Sequence, residues 1–125
     1  MPAIKMLLVD DDFEMREMIK DAFQAAPIDI TTATDGLQAL DQIKTGRYDI
    51  IISDINMPNL DGVELAKKIK SSRLNGNTTI VMMSSGLDKD NIGTLTKLGV
   101  KNILAKPFKI NQVVDIIKNS MKKAS

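Results

Sequence analysis

Short runs of consecutive apolar residues alternate along this chain with stretches in which apolar residues recur every three or four positions. The runs Ile4–Val9, Ile28–Ala33, Tyr48–Ser53, Thr79–Met83 and Asn102–Ala105 read as five strands. Several are nearly all apolar, as in strands covered on both faces. Between them the spacing predicts five helices. Their apolar faces are Met15, Met18, Ile19, Ala22 and Phe23; Leu37, Leu40 and Ile43; Val63, Ala66 and Ile69; Ile92, Leu95 and Leu98; and Ile110, Val113, Val114 and Ile117. Asp35-Gly36, Asp61-Gly62 and Asp88 punctuate helix starts, Gly46 and Gly99 follow helices, and Asn75-Gly76-Asn77 marks a longer loop. Strict alternation of strand and helix, with right-handed crossovers, predicts an α/β fold: a doubly wound, five-stranded parallel sheet with helices on both faces. Asn119 to Ser125 read as a fraying helix end.

Composition narrows the chemistry more than the fold. The 125 residues suit one domain, 1–125, with one hydrophobic core. No apolar stretch approaches the roughly 20 residues of a membrane span, and the first residues lack the regions of a signal peptide, so no membrane insertion is expected. Cys is absent, which removes disulfides and thiolate metal sites and fits a cytoplasmic location. His is absent too, which removes the commonest general base, imidazole metal ligation and any phosphohistidine carrier. Carboxylates, hydroxyls, Lys and backbone remain.

The net charge of +1 conceals an asymmetry: residues 1–85 hold 13 acids against 9 Lys/Arg, whereas residues 86–125 hold 3 acids against 8 Lys. This is either a solvated helical surface or a basic face that meets an acidic partner. Direct nucleic-acid binding is not expected, because that region has no Arg and one aromatic, Phe108.

In a parallel α/β sheet the binding crevice lies beyond the carboxyl ends of the strands. The residues that follow the apolar runs are Asp10-Asp11-Asp12; Asp54 with Asn56, Met57 and Pro58; Ser84-Ser85-Gly86; and Lys106-Pro107-Phe108. Carboxylates with intrinsic pKa values near about 4 repel one another when gathered, so a cation must offset them. Oxygen ligands alone suit Mg²⁺ or Mn²⁺ rather than Zn²⁺, and Mg²⁺ keeps positions open for phosphoryl oxygens. Asp12 reads as a helix cap, Asp10 and Asp11 as metal ligands. Asp54 is the candidate nucleophile, since a carboxylate can attack phosphorus to give an acyl phosphate. Lys106 and the Ser84 hydroxyl would then bind phosphoryl oxygens. Pro107 favours an extended Lys106 at a strand end.

As a set, Leu7-Leu8-Val9-Asp10-Asp11, Ile52-Ser53-Asp54, Asn56-Met57-Pro58, Asp61-Gly62, Met83-Ser84-Ser85-Gly86 and Leu104-Ala105-Lys106-Pro107-Phe108 resemble the receiver (response-regulator) domain of two-component signalling, in its stand-alone CheY-like type. The resemblance spans nearly the whole chain. It implies a flavodoxin-like strand order 2-1-3-4-5, Asp54 as phosphoacceptor, and Mg²⁺ held by Asp11, Asp54 and the Asn56 carbonyl, with Asp10 acting through metal-bound water. It also implies Ser84 as the switch hydroxyl, Lys106 as the motif lysine, and Ser85 as the small residue that admits the phosphoryl group. Such a protein is a phosphoacceptor that catalyses its own phosphorylation and slow dephosphorylation, not a turnover enzyme. Its expected partners are a histidine kinase or histidine phosphotransfer protein, and an effector on the helix 4–strand 5–helix 5 face.

One position departs from the pattern. Ile103 stands where many receivers carry an aromatic that turns inward on activation. Output is then expected to travel through the loop after strand four and helix four, where Gly86 and Gly93 lie. Alternative readings are a receiver-shaped interaction module that is never phosphorylated and a receiver cut from a larger transcriptional regulator. A flavin carrier of similar architecture is disfavoured, because Asp10–Asp12 would repel the FMN phosphate. A haloacid-dehalogenase-type hydrolase lacks its second acid, since Asn56 occupies that position.

Overall fold

The computed structural model describes residues 3–86 and 88–124, with side chains through residue 120; Met1, Pro2, Leu87 and Ser125 lie outside the described residues, so the expected fraying end at Asn119 to Ser125 falls partly outside them. Five strands, β1 (Ile4–Val9), β2 (Ile28–Ala33), β3 (Ile50–Asp54), β4 (Thr79–Ser84) and β5 (Asn102–Ala105), alternate with five helices. The helices are α1 (Phe13–Ala22), α2 (Gly36–Thr45), α3 (Gly62–Lys70), α4 (Lys89–Lys97) and α5 (Ile110–Ala124). All strand pairs are parallel and the order is β2-β1-β3-β4-β5. The expected flavodoxin-like fold is the observed one.

Strand periodicity divides the interior. Leu7, Val9, Ile51 and Met82 point to the face covered by α2, α3 and α4 through Ala39, Ile43, Leu65, Ile69 and Leu95. Met6, Leu8, Ile50, Ile52, Val81 and Met83 point to the other face, under Ile19 of α1, Phe23 at its C-terminal cap, and Val113 and Ile117 of α5. The single core expected from length is thus two apolar layers separated by the sheet, which is why these strands have no polar side.

Two helix faces differ from their sequence reading. Met18 is 42% exposed and Leu37 49% exposed. On α2 the buried stripe is Gly36, Ala39 and Ile43 instead, rotated one position from Leu37. The reason is contact distance: a Cβ on Gly36 would collide with the Leu60 backbone and side chain, so α2 lies too close there for a larger residue.

Four helices start in the same way. The carboxylates of Asp12, Asp35, Asp61 and Asp88 accept N–H bonds from the first turns of α1, α2, α3 and α4. Asp35 also accepts from the Asn59 amide at 2.8 Å, and the Gln38 N–H together with Asn59 holds its carboxyl below the usual range. Gly99 ends α4 in the left-handed region, at φ 87°.

β3 begins at Ile50, two residues later than its apolar run. The Tyr48 N–H donates to Asn75 Oδ1 (2.8 Å) and the Tyr48 carbonyl accepts from Thr78 Oγ1 (2.8 Å), so side chains occupy the groups a ladder would use. At the other end β3 and β4 each run one residue further than read, making Asp54 and Ser84 the last residues of their strands.

Candidate functional site

Parallel register assembles the site. Val9 pairs with Ser53, Asp54 with Met83, and Ser84 with Ala105. The next residue along each strand therefore falls at one edge, and Asp10, Asp54, Ser84 and Lys106 become neighbours across four strands. Ladder-like bonds continue past the strand ends, from Ile55 N–H to Met83 O at 2.9 Å and from Lys106 N–H to Ser84 O at 2.6 Å.

Lys106 Nζ lies 3.0 Å from Asp54 Oδ2 and 3.5 Å from Asp10 Oδ2. Asp10 has no exposed surface and Asp54 is 7% exposed, whereas Asp11 is exposed. Carboxylate oxygens of Asp10, Asp11 and Asp54 lie within 4.8 Å of one another. One lysine against three acids leaves a net negative pocket of hard oxygen donors, and a small divalent cation fits that set. Burial pushes the Asp10 carboxyl up; the Asp12 N–H bond and Lys106 oppose it, and Asp54 adds to it. For Lys106 burial works downward, but the Asp54 hydrogen bond and the charges of Asp10 and Asp54 outweigh it, so its pKa is raised.

The raised Asp10 pKa has a stability consequence. The folded protein holds this proton more tightly than the unfolded chain, so the contribution favours folding at acid pH and is lost as pH rises through the raised value. We predict that without divalent cations Asp10→Asn gains stability over wild type as pH rises above about 4. The Asn side chain keeps an acceptor for the Asp12 N–H, now 2.9 Å from Asp10 Oδ1. Urea denaturation at several pH values measures this, and a pH-independent difference would contradict it.

The remaining predicted residues sit around this edge. Asn56 is exposed, and its N–H donates to Asp54 Oδ1 at 3.2 Å. Ser84 Oγ donates to the Gly86 carbonyl and accepts from the Gly86 N–H at 3.2 Å. Ser85 is exposed beside it. Asp12 caps α1, and the Lys106–Pro107 peptide bond is cis. Ile103 is half-buried against the layer that contains Leu95 of α4.

Two further residues support the site: Arg16, which the sequence reading does not name, and Gly62, which it names with Asp61 as a helix start and motif piece. Arg16 Nη1 donates to the Asp10 carbonyl at 2.7 Å and lies over the Phe13 ring, pinning the acidic loop from behind. An arginine in a helix's first turns opposes the helix dipole, and that is the signal that could have marked it. Gly62 is the other. Its N–H donates to Ile55 O at 2.8 Å, and a Cβ there would meet Asp54 O at 2.5 Å and Ile55 Cα at 2.7 Å. Only glycine lets α3 start against the backbone that carries Asp54.

Comparison with known proteins agrees with this geometry. The family model of the response regulator receiver domain matches residues 6–118. The chain is 32% identical to sporulation initiation phosphotransferase F of Bacillus subtilis, over 91% of this chain and 90% of that protein. It is also 32% identical to a transcriptional regulatory protein CpxR homolog of Haemophilus influenzae, over 97% of this chain but 52% of that longer protein. Among solved structures, the chemotaxis response regulator CheY4 of Vibrio cholerae superposes with a TM-score of 0.85 at 30% identity, covering 94% of this chain and 98% of that one. Among the described residues no helix is long and apolar enough to cross a membrane. A family match over nearly the whole chain, on a sheet whose register gathers the acids, hydroxyl and lysine at one edge, makes this chain a member of the response regulator receiver domain family, the phosphoacceptor domains of two-component signalling.

Proposed function

We propose that residues 1–125 act as a phosphorylation switch in which Asp54 accepts a phosphoryl group from the phosphohistidine of a histidine kinase or histidine phosphotransfer protein. The observation that carries this reading is Asp54 itself: a nearly buried carboxylate at a strand end, 3.0 Å from a lysine and clustered with two further acids. A carboxylate oxygen of Asp54 attacks phosphorus, the P–N bond breaks, and the departing imidazole retains the electron pair and takes up a proton. Asp10, Asp11, Asp54 and the Asn56 carbonyl would hold Mg²⁺, or Mn²⁺ in its place. The ion would supply positive charge to the equatorial oxygens of the transferring group. Lys106 binds one of those oxygens and then pairs with the phosphorylated Asp54. Ser84 binds another, which requires it to leave Gly86.

That exchange is the switch. The added group brings about two negative charges. Drawing Ser84 away from Gly86 frees the segment that leads into α4, and shifts the balance toward an active form of the α4–β5–α5 face. With Ile103 at the usual aromatic position, this segment carries the output. Lys97 of α4, Lys101 just before β5 and Lys118 of α5 are exposed and offer charge to an acidic effector. Reversing all three charges is expected to abolish phosphorylation-dependent effector capture without altering phosphorylation. Unchanged capture would move the effector surface elsewhere.

Intact-mass measurement tests the switch. With acetyl phosphate and Mg²⁺ the protein gains one phosphoryl mass, and with acetyl phosphate and EDTA it gains none. Equal modification in both conditions, or none in either, would refute the reading.

A further inference from the structure

At the pole opposite Asp54, the C-terminal halves of α2 and α3 and the loop after α3 enclose an open groove of about 490 Å³. Buried Ile43 and half-buried Leu40 form its floor, exposed Leu74 stands at its edge, and exposed Lys44, Lys68 and Arg73 make its rim. No acid lines it. None of the three rim cations forms an ion pair among the described residues, whereas Lys67 on the same helix is paired with Glu64 at 3.1 Å. Asp41, one turn earlier on α2, lies outside the lining.

Helix electrostatics explain part of this. Lysines in the last turn offset the negative end of a helix dipole, which accounts for Lys44 and Lys68. They do not account for Arg73, which lies in the loop, or for Leu74, a leucine left 40% exposed beside it. An apolar trough ringed by three unpaired cations is complementary to a helix with one apolar face and acidic flanks. A lipid surface fits less well. Membrane binding needs several apolar side chains that protrude, and here Leu74 alone does, with Ile43 1% exposed and Leu40 half-buried beside it.

We propose that the α2–α3 groove docks an acidic amphipathic helix of a partner protein, at a surface separate from the phosphorylation edge and from the α4–β5–α5 face. Its occupancy does not require phosphoryl chemistry at Asp54, so either can fail without the other.

The test is a titration of the ¹⁵N-labelled 125-residue chain with a synthetic helical peptide. The probe has leucines spaced i, i+3, i+4 and i+7 and glutamates on its flanks; a counterpart carries lysines for the glutamates. The acidic probe is expected to shift the amides of Leu40, Lys44, Lys68, Arg73 and Leu74, and the basic one to leave them unchanged. The triple variant Lys44→Glu, Lys68→Glu, Arg73→Glu should bind the acidic probe more weakly by about tenfold or more. Its amide spectrum away from the groove should match wild type, which shows that the fold is intact. Equal binding of both peptides, shifts mapping to another face, or full affinity of the triple variant overturns the proposal. So does groove-dependent binding to phosphatidylglycerol vesicles, or groove-dependent self-association, in the absence of an effect of the acidic probe.

Discussion

Asp54→Asn is expected to take up no phosphoryl group from acetyl phosphate and Mg²⁺ under conditions in which wild type is modified. The amide has nearly the shape of the carboxylate and keeps an acceptor for the Asn56 N–H, so the fold should persist. What it lacks is the anionic oxygen that attacks phosphorus and one carboxylate of the cluster. Lys106→Met tests a further requirement, the cation beside the nucleophile. It leaves the nucleophile in place and removes the cation 3.0 Å from it. Loss of one preorganised charge aimed at the transferring oxygens should slow phosphorylation by about 10²-fold or more. Together the two variants distinguish a carboxylate that reacts from one that merely balances a lysine. Modification of Asp54→Asn at the wild-type rate would show that another residue is the acceptor.

Asn75→Ala is expected to be the most destabilising polar substitution in the chain. Asn75 has no exposed surface. Its amide donates to Ile43 O at 3.0 Å and to Gly46 O at 2.8 Å, and its oxygen accepts from Tyr48 N–H at 2.8 Å and Thr78 Oγ1 at 3.2 Å. One side chain thus closes the end of α2, the entry to β3 and the loop before β4. Alanine strands several buried groups, each costing on the order of 1–3 kcal/mol, so a total loss of about 3–5 kcal/mol is expected. Urea denaturation measures this. A loss below about 1 kcal/mol would mean that water replaces the amide fully.

Asn75 also illustrates what a linear reading misses. In sequence it sits in Asn75-Gly76-Asn77, a turn signal that predicts a loop. The loop is there, but Asn75 points inward because the backbone groups it satisfies, at the end of α2 and the entry to β3, lie 27 to 32 residues away. The same effect sets the start of β3, whose apolar run begins before its ladder does. Arg16 is a comparable case. Its spacing from Asp10 becomes meaningful only once α1 folds back over the end of β1.

Where the signal was local, it was read. All five strands and five helices were visible, because burial on a strand or helix repeats at a fixed interval along the chain. Asp12, Asp35, Asp61 and Asp88 announced helix starts because capping involves residues two or three apart. The error at Leu37 is a rotation of one position, set by how closely α2 approaches Leu60, whereas Met18 is exposed beside Ile19, which is buried as expected.

By itself, then, the order of apolar runs and punctuation determined the alternating α/β layout and marked Asp10, Asp11, Asp54, Ser84 and Lys106 as residues stranded at the ends of buried strands. It did so because side-chain period and strand termination are properties of neighbouring residues. Only the tertiary structure decided that these ends lie side by side, with Lys106 within 3.5 Å of both Asp10 and Asp54 across as many as 96 positions of sequence. That proximity depends on parallel register, on Gly62 allowing α3 against β3, and on Asn75 anchoring the opposite pole. Each is an interaction between segments that no local pattern couples.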